Sequence, residues 1–158
     1  MKRTSFAGME CSVAQALEVV GEWWTLLVVR DAFLGVRRFE EFQRRLGVSR
    51  NVLTDRLDTL VEHGIFTVVP YQDRPPRSEY RLTDKGRDLY PVIVSLRQWG
   101  DRWVQPGPPP VVVQHIACGH DAEAVLTCAN CGGAITARNV RARGAVVPVR
   151  PEQPIPAT

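Results

Sequence analysis

The sequence predicts a mainly helical α+β fold, in which a helix-turn-helix and a two-stranded hairpin precede a small cysteine-containing module. Three observations predict this order. Two short amphipathic segments meet at Gly47, the apolar period changes from helical to alternating after Gly64, and a cluster of cysteines begins at Cys118. A chain of 158 residues has room for one compact domain and an appendage.

The composition is that of an ordinary globular protein. Apolar residues make up 44% of the chain and charged residues 23%. The net charge of +3 permits a nucleic-acid partner without requiring one. Arg30 and Asp31 interrupt the longest apolar stretch, and the N-terminus lacks the apolar segment of a secretory signal. We therefore expect a cytoplasmic protein that makes no membrane contact.

Two helices are predicted before residue 36. Ser12 followed by Gln15 has the spacing of a capping box. Residues 23–34 are apolar nearly all round, which predicts a central buried helix. The first helix should end at Gly21 and bury four apolar side chains, those of Val13, Ala14, Leu17 and Val20.

Residues 38–64 carry the helix-turn-helix pattern. Apolar residues recur every three or four positions in each of two segments. Gly47 is placed to end the first helix, and the hydroxyl of Ser49 is placed to cap the second. Two helices joined by a glycine-containing turn are typical of this motif. The apolar positions are Phe39, Phe42 and Leu46, then Leu53, Leu57, Leu60 and Val61.

The polar face of the second helix indicates DNA binding. Residues 37–56 hold six arginines against three acids. Hydrogen-bonding side chains occupy the first turn of this helix. In a recognition helix, the N-terminal turn is the part that enters the major groove. The alternative is an ordinary helical pair with a solvated charged face. We expect base contacts from Ser49, Arg50, Asn51 and Thr54, and phosphate contacts from Arg38 and Arg56.

A hairpin is predicted after Gly64. Residues 65–71 are rich in β-branched and aromatic side chains, and residues 79–83 alternate between polar and apolar. The proline-containing loop between them places Arg74 and Arg77 at its tip, where arginines suit a phosphate or minor-groove contact. A helix-turn-helix followed by a hairpin is a winged helix. The alternative is a plain surface hairpin.

The last predicted helix begins after Thr83, whose hydroxyl is placed to cap it. Pro91 should kink or restart this helix. A long apolar stripe that ends in two tryptophans needs a partner. We expect it to pack partly on the first helices of its own domain and partly on a second copy in a homodimer. The stripe consists of Leu89, Val92, Leu96, Trp99 and Trp103.

These segments, in this order, resemble the HxlR-type winged-helix transcriptional regulators, relatives of the MarR-like group. The resemblance covers about residues 11–103 and includes WWTLLVVRDAFLG, RRFEEFQRRLGVSRNVLTDRL, LVEHGIF, PPRSEYRLTDKG and YPVIVSLRQWGDRW. It implies a dimeric DNA-binding regulator, expected here to be a repressor, that responds to redox state or to a small-molecule effector. Position 12 is serine where the family often has proline.

Four regions follow from these patterns. Residues 1–103 form the winged domain, residues 104–111 a proline-rich linker, and residues 112–137 a small module. Residues 138–158 have no apolar periodicity, so we expect a disordered tail.

The small module carries two similar halves, HIACG and CANCG. Each half places two potential metal ligands three positions apart and follows them with a glycine, as in a zinc knuckle. Two facing knuckles would give a zinc-ribbon-like module with a closed, structural tetrahedral site. The expected ligands are His115, Cys118, Cys128 and Cys131, with His120 as the rival of His115. The alternative is a degenerate ribbon whose cysteines are free or disulfide-linked.

Cys11 precedes the predicted first helix, whose N-terminus would favour a thiolate, although Glu10 beside it acts in the opposite direction. The resemblance implies that a cysteine at this place is a redox sensor in some members. The alternative is a small buried apolar side chain.

The sequence contains no set of residues typical of catalysis. It has no glycine-rich phosphate loop, no nucleophile with a partner base, and no carboxylate pair at a usable spacing. We therefore expect no enzyme. The rival from a different class is a protein-interaction adaptor, in which the winged helix is a scaffold and the ribbon docks a partner.

Overall fold

The computed structural model describes residues 5–144. Over that range the chain forms six helices and one two-stranded antiparallel sheet, in the order of a winged helix-turn-helix, so the predicted fold class is confirmed for this domain. The elements are α1 (Ser12–Val20), α2 (Thr25–Phe33), α3 (Phe39–Leu46), α4 (Arg50–Glu62), β1 (Phe66–Asp73), β2 (Pro76–Leu82), α5 (Asp84–Arg87) and α6 (Tyr90–Trp103).

The core lies between α2, α3, α4 and the first strand. Leu53, Leu57 and Leu60 of α4 are fully buried, and the rings of Phe42 and Phe66 lie 6.4 Å apart beside them. Each large apolar side chain contributes about 1.5–3 kcal/mol by leaving water. Because the buried positions of α4 recur every three or four residues, the core also fixes which face of this helix points outward.

Helix α1 begins differently from the prediction. Ser12 is its first residue and Cys11 takes the cap position, where it makes no side-chain capping bond within the described chain. The side-chain amide of Gln15 instead donates to the carbonyl oxygens of Phe6 and Met9. The predicted capping box is therefore wrong, because the glutamine holds the preceding loop rather than the helix start.

Three apolar side chains near the N-terminus are less buried than predicted. Val13 and Leu17 of α1 are exposed, and Trp23 is 90% exposed because it precedes the first residue of α2. Within the single chain, the predicted burial of these side chains is wrong.

Helix α2 buries a charged residue. Asp31 is fully buried, and its Oδ1 accepts a hydrogen bond from Arg30 Nε at 2.9 Å. Its Oδ2 accepts from Arg45 Nε at 3.1 Å. Because Arg45 belongs to α3, this ion pair joins the first helix of the motif to the core. A buried carboxylate is tolerated here because each oxygen has a cationic donor.

The turn between α3 and α4 forms as predicted. Gly47 ends α3 in the left-handed conformation, with φ of 64°, which costs glycine little. Ser49 caps α4 by accepting the N–H of Val52 at 3.4 Å.

Strands β1 and β2 pair antiparallel, with Phe66 opposite Leu82 at the base of the hairpin. Both strands are longer than predicted: β1 continues past Tyr71, and β2 begins at Pro76 rather than at Glu79. The predicted loop is therefore a tight turn at the end of a longer wing.

The helical segment after the hairpin is capped and restarts as predicted. Thr83 caps α5 by accepting the N–H of Gly86 at 3.1 Å, and α6 restarts at Tyr90 with Pro91 in its first turn. Gly86 has no room for a side chain, because a Cβ there would clash with the carbonyl oxygen of Ile65. This glycine allows α5 to lie directly against the start of the hairpin.

Beyond residue 104 the described chain contains no helix, and two of its short turns are each closed by one isolated β-bridge. Residues 145–158 of the predicted tail lie outside the described residues. Among the described helices, none alone is long and apolar enough to cross a bilayer. The pair α1 and α2 meets that criterion by length and composition, with a bend of 79° between the two helices.

Candidate nucleic-acid interface

The first turn of α4 is presented to solvent. Ser49, Arg50 and Asn51 are exposed and Thr54 is half-buried, because the leucines on the opposite face of α4 are held in the core. The structure therefore brings the four predicted base-contacting residues together on one turn. Their hydroxyl, guanidinium and amide groups match the donor and acceptor pattern of base edges in a major groove.

Arg50 is held against an aromatic ring. Its guanidinium carbon lies 4.8 Å from the centroid of the Phe39 ring, at the start of α3. Such stacking covers the flat face of a guanidinium and leaves its N–H groups available at the edge. The side chain is thus oriented by α3 while its hydrogen-bond donors stay accessible.

Arg38 is held between α3 and the wing. Its Nε lies 3.5 Å from Glu79 Oε1, and its guanidinium carbon lies 4.6 Å from the centroid of the Tyr71 ring. The hydrogen bond from Arg81, together with the charges of Arg81 and Arg38, lowers the pKa of Glu79. The half-exposed Arg38 is therefore positioned by the wing, with an ionised carboxylate as its partner.

Arg56 is engaged elsewhere in the domain. Its Nη1 lies 3.3 Å from Glu22 Oε2, and the side chain is only 21% exposed. Its Nε is buried and has no hydrogen-bond partner among the described residues. The structure therefore places Arg56 against the loop between α1 and α2 and not on the first turn of α4.

The tip of the wing carries the two remaining predicted arginines. Arg74 lies in the turn, whereas Arg77 lies in β2 opposite Gln72, and both arginines are exposed. The side-chain amide of Gln72 donates to the carbonyl oxygens of Arg74 and Pro75, each at 3.1 Å. Sequence reasoning missed this glutamine, whose only signal is its position beside a proline-containing turn.

The predicted metal ligands lie in the two turns of the C-terminal module. His115 Nδ1 is 3.2 Å from Cys118 Sγ in the first turn. In the second turn, hydrogen bonds from the backbone N–H groups of Asn130 and Cys131 lower the pKa of Cys128. Each turn therefore carries two of the four predicted ligands. Within residues 5–144, no group of three histidine, cysteine or acidic side chains is gathered closely enough to hold a metal ion.

The module is attached to α6 through side chains that sequence reasoning missed. Gln98 Nε2 donates to the carbonyl oxygen of Ala124, and the N–H of Ala124 donates back to Gln98 Oε1, both at 3.2 Å. Arg97 donates to the carbonyl oxygen of Val111 at 3.3 Å and pairs with Asp101 at 2.9 Å. The two residues show no sequence signal, since they lie among the polar positions of an amphipathic helix.

The apolar stripe that begins at Leu89 and continues along α6 is divided in two. Leu89 packs against the core, together with the neighbouring Ile93. Val92, Leu96, Trp99 and Trp103 are exposed, and Trp103 is 67% exposed. The predicted packing on the domain's own core is therefore made by the beginning of the helix only.

Cys11 lies far along the chain from the other cysteines. It is half-buried at the start of α1 and lines a shallow surface depression with Met9 and Ser12. A thiol at this position is close to the free backbone N–H groups of a helix N-terminus.

Comparisons with known proteins agree with this geometry. A profile of the HxlR-like helix-turn-helix family matches residues 19–108. The uncharacterized HTH-type transcriptional regulator Rv3095 of Mycobacterium tuberculosis is 54% identical over 130 residues, which are 82% of each chain.

Two solved structures are similar to the chain over different lengths. The crystal structure of PA1607, a candidate transcription factor, has a TM-score of 0.79 and 40% identity, and it covers 89% of this chain and 99% of that chain. The redox regulator HypR in its oxidized form has a TM-score of 0.52 and 31% identity, and it covers 61% of this chain and 100% of that chain. The aligned 89% of this chain is longer than the winged domain, residues 1–103, so the similarity to PA1607 extends into the C-terminal module.

Proposed function

Because the chain belongs to the HxlR-like helix-turn-helix family and is a DNA-binding transcriptional regulator, not an enzyme, we propose that it binds an inverted repeat as a homodimer. One observation carries the proposal of base readout. The first turn of α4 presents exposed side chains suited to reading bases, on a helix whose other face is fixed in the core. The family also favours a regulator over the adaptor function considered from the sequence.

The side chains divide into two roles. Arg50 and Asn51 are the residues proposed to select the sequence, because guanidinium and amide groups can form paired hydrogen bonds with guanine and adenine. Ser49 and Thr54 flank them with hydroxyl groups. The exposed arginines at positions 38, 74 and 77 would bind phosphates. Arg56 is also predicted to bind phosphate, which requires its guanidinium to turn away from Glu22.

The homodimer is proposed to form through α6. A single chain leaves the second half of the apolar stripe exposed, including Leu96 and Trp99. An apolar face of this kind is stabilised when a partner removes it from water. A second copy is the partner that would also place two recognition helices about one DNA turn apart, as an inverted repeat requires.

We further propose that redox state or a small-molecule effector regulates the protein. This proposal is supported by the similarity to HypR, which is named as a redox regulator, and by the position of Cys11 at the start of α1. We also propose that the protein acts as a repressor in the cytoplasm.

Binding to DNA from beside the protein's own gene tests the proposal. Arg50→Ala and Asn51→Ala should each weaken specific binding by about 1–3 kcal/mol and relax sequence preference, because each removes a paired base contact. Fluorescence anisotropy at several salt concentrations measures the effect. Arg141→Ala is the matched control, since it removes an exposed arginine from outside the winged domain.

The same experiment can contradict the proposal. Specific binding that is unchanged in both α4 variants would remove these residues from base readout. Wild-type affinity that does not fall with salt would exclude phosphate-dominated binding.

Sedimentation tests the homodimer separately. It should show a dimer at micromolar concentration for wild type and a shift toward monomer for Leu96→Glu. A wild-type monomer would contradict the homodimer.

A further inference from the structure

The two turns of the C-terminal module share a pattern of backbone hydrogen bonds. We define the first turn as residues 113–122 and the second turn as residues 126–135. The N–H of His115 donates to the carbonyl oxygen of His120, and the N–H of Cys128 donates to that of Gly133, both at 2.8 Å. The two donors are 13 residues apart (128 − 115), and so are the two acceptors (133 − 120).

A second pair of hydrogen bonds repeats with the same offset. The N–H of Gly119 donates to the carbonyl oxygen of His115, and that of Gly132 donates to that of Cys128, again both at 2.8 Å. The two glycines have φ angles of 72° and 69°, in the left-handed region that favours glycine. The isolated β-bridges also match, since 114 pairs with 121 in the first turn and 127 pairs with 134 in the second.

This correspondence distinguishes the two histidines. His115 occupies the place that Cys128 takes in the second turn, and Cys118 occupies the place of Cys131. His120 corresponds to Gly133, a residue with no side chain to bind anything. The repeated pattern therefore selects His115 as the partner of the three cysteines, a choice that sequence spacing leaves open.

The module lacks the apolar core that stabilises the winged domain. No described residue from 104 to 144 is buried, and Ile116, inside the first turn, is 98% exposed. Segments of this size without a core are usually stabilised by a disulfide or a metal ion. The repeated geometry of two tight turns, each carrying two potential ligands, fits a metal ion better than a hydrophobic cluster.

We propose that His115, Cys118, Cys128 and Cys131 bind one structural zinc ion. Zinc bound by three thiolates and one imidazole is tetrahedral, and its bond lengths put a nitrogen and a sulfur ligand about 3.5 Å apart. His115 Nδ1 and Cys118 Sγ are already 3.2 Å apart, close to that spacing. The first turn thus presents one half of the site.

Binding requires the second turn to meet the first around the ion. The segment between the turns is short, residues 123–125, and its middle residue is fixed on α6 by the two hydrogen bonds between Gln98 and Ala124. The turns therefore approach each other about an anchored point, which limits the conformational freedom that metal binding has to remove.

The metal content of the full-length protein, purified without chelator, tests the proposal. Wild type should contain about one zinc per chain. Cys128→Ser and His115→Ala should lose most of it, whereas His120→Ala and Cys11→Ser, the matched controls, should keep it. Elemental analysis gives the stoichiometry, and circular dichroism verifies that each variant retains its helices.

Cobalt substitution gives a readout that does not depend on loss of binding. Cobalt in the wild-type site should show the absorption of tetrahedral coordination with thiolate ligands, and His115→Cys should retain the metal while shifting that spectrum as a fourth thiolate replaces the imidazole. Metal-free wild type would overturn the site, as would undiminished zinc in Cys128→Ser. Loss of zinc in His120→Ala with retention in His115→Ala would overturn the ligand assignment. DNA binding measured on the same samples is independent of these outcomes.

Discussion

The winged domain and the C-terminal module are stabilised in different ways. In the winged domain, large apolar side chains such as Leu57 and Phe42 are fully buried. The side chain of Ser49 accepts a backbone N–H at the start of α4. In the module, apolar side chains such as Ile116 face solvent and the backbone forms two tight turns. The difference teaches that a regular backbone does not require an apolar core, since the module repeats several of its backbone hydrogen bonds without one.

Truncating one apolar side chain in each region should give the largest contrast. Leu57→Ala should lower the free energy of unfolding by about 2–5 kcal/mol, because it removes buried methyl groups and leaves a cavity. Ile116→Ala should change it by less than about 0.5 kcal/mol, because the side chain is already in water. Urea denaturation followed by circular dichroism measures both. A large loss for Ile116→Ala would show that the module has an apolar core after all.

Removing one attachment between the two regions should have a smaller effect on stability. Gln98→Ala removes both hydrogen bonds to Ala124, each worth about 0.5–1.5 kcal/mol at most in this exposed location. We expect hydrogen exchange to become faster at the amide of Ala124 and to stay unchanged at the amides of α4. Gln114→Ala is the control, since its side-chain amide donates to the carbonyl oxygen of Gly119 within the first turn. Unchanged exchange at Ala124 would mean that other contacts attach the module to α6.

The smallest expected effect concerns pH and the winged domain only. The pKa of Glu79 is lowered from its usual 4.5, mainly by the hydrogen bond from Arg81. Because the folded state then favours the ionised carboxylate, its contribution is complete above the usual pKa and is lost as pH falls through the lower folded value. Urea denaturation at a series of acidic pH values should show a weaker pH dependence for Glu79→Gln. Arg81→Ala should show the same trend, and an unaltered slope in both variants would contradict this origin.

Local sequence patterns predicted much of the winged domain. Gly47 and Ser49 fix the turn before α4, and Thr83 fixes the start of α5, because each acts through its own backbone neighbours. Strand lengths and the burial of Trp23 were predicted wrongly, since both depend on which segments pack together in space. The same limit applies to the ion pair between Asp31 and Arg45, which are 14 residues apart.

The candidate site was predictable in its residue types and less so in its partners. The exposed first turn of α4 follows from helical periodicity and a buried leucine stripe. Sequence cannot show that Arg56 pairs with Glu22, or that Gln98 reaches Ala124 across 26 residues, because nothing in local spacing encodes these contacts. In the module, the spacing of cysteines predicted four potential ligands, and the hydrogen-bond repeat was needed to rank the two histidines.

The stacking of Arg50 on Phe39 has a consequence for the thermodynamics of recognition. A free arginine side chain loses up to about 2 kcal/mol of rotamer entropy when a contact orders it. Here α3 orders the guanidinium before any nucleic acid arrives, so part of that loss is incurred during folding and not on association. In the proposed base contact, the first helix of the motif would therefore contribute to affinity without touching a base, by restricting the conformations that Arg50 samples in the unbound protein.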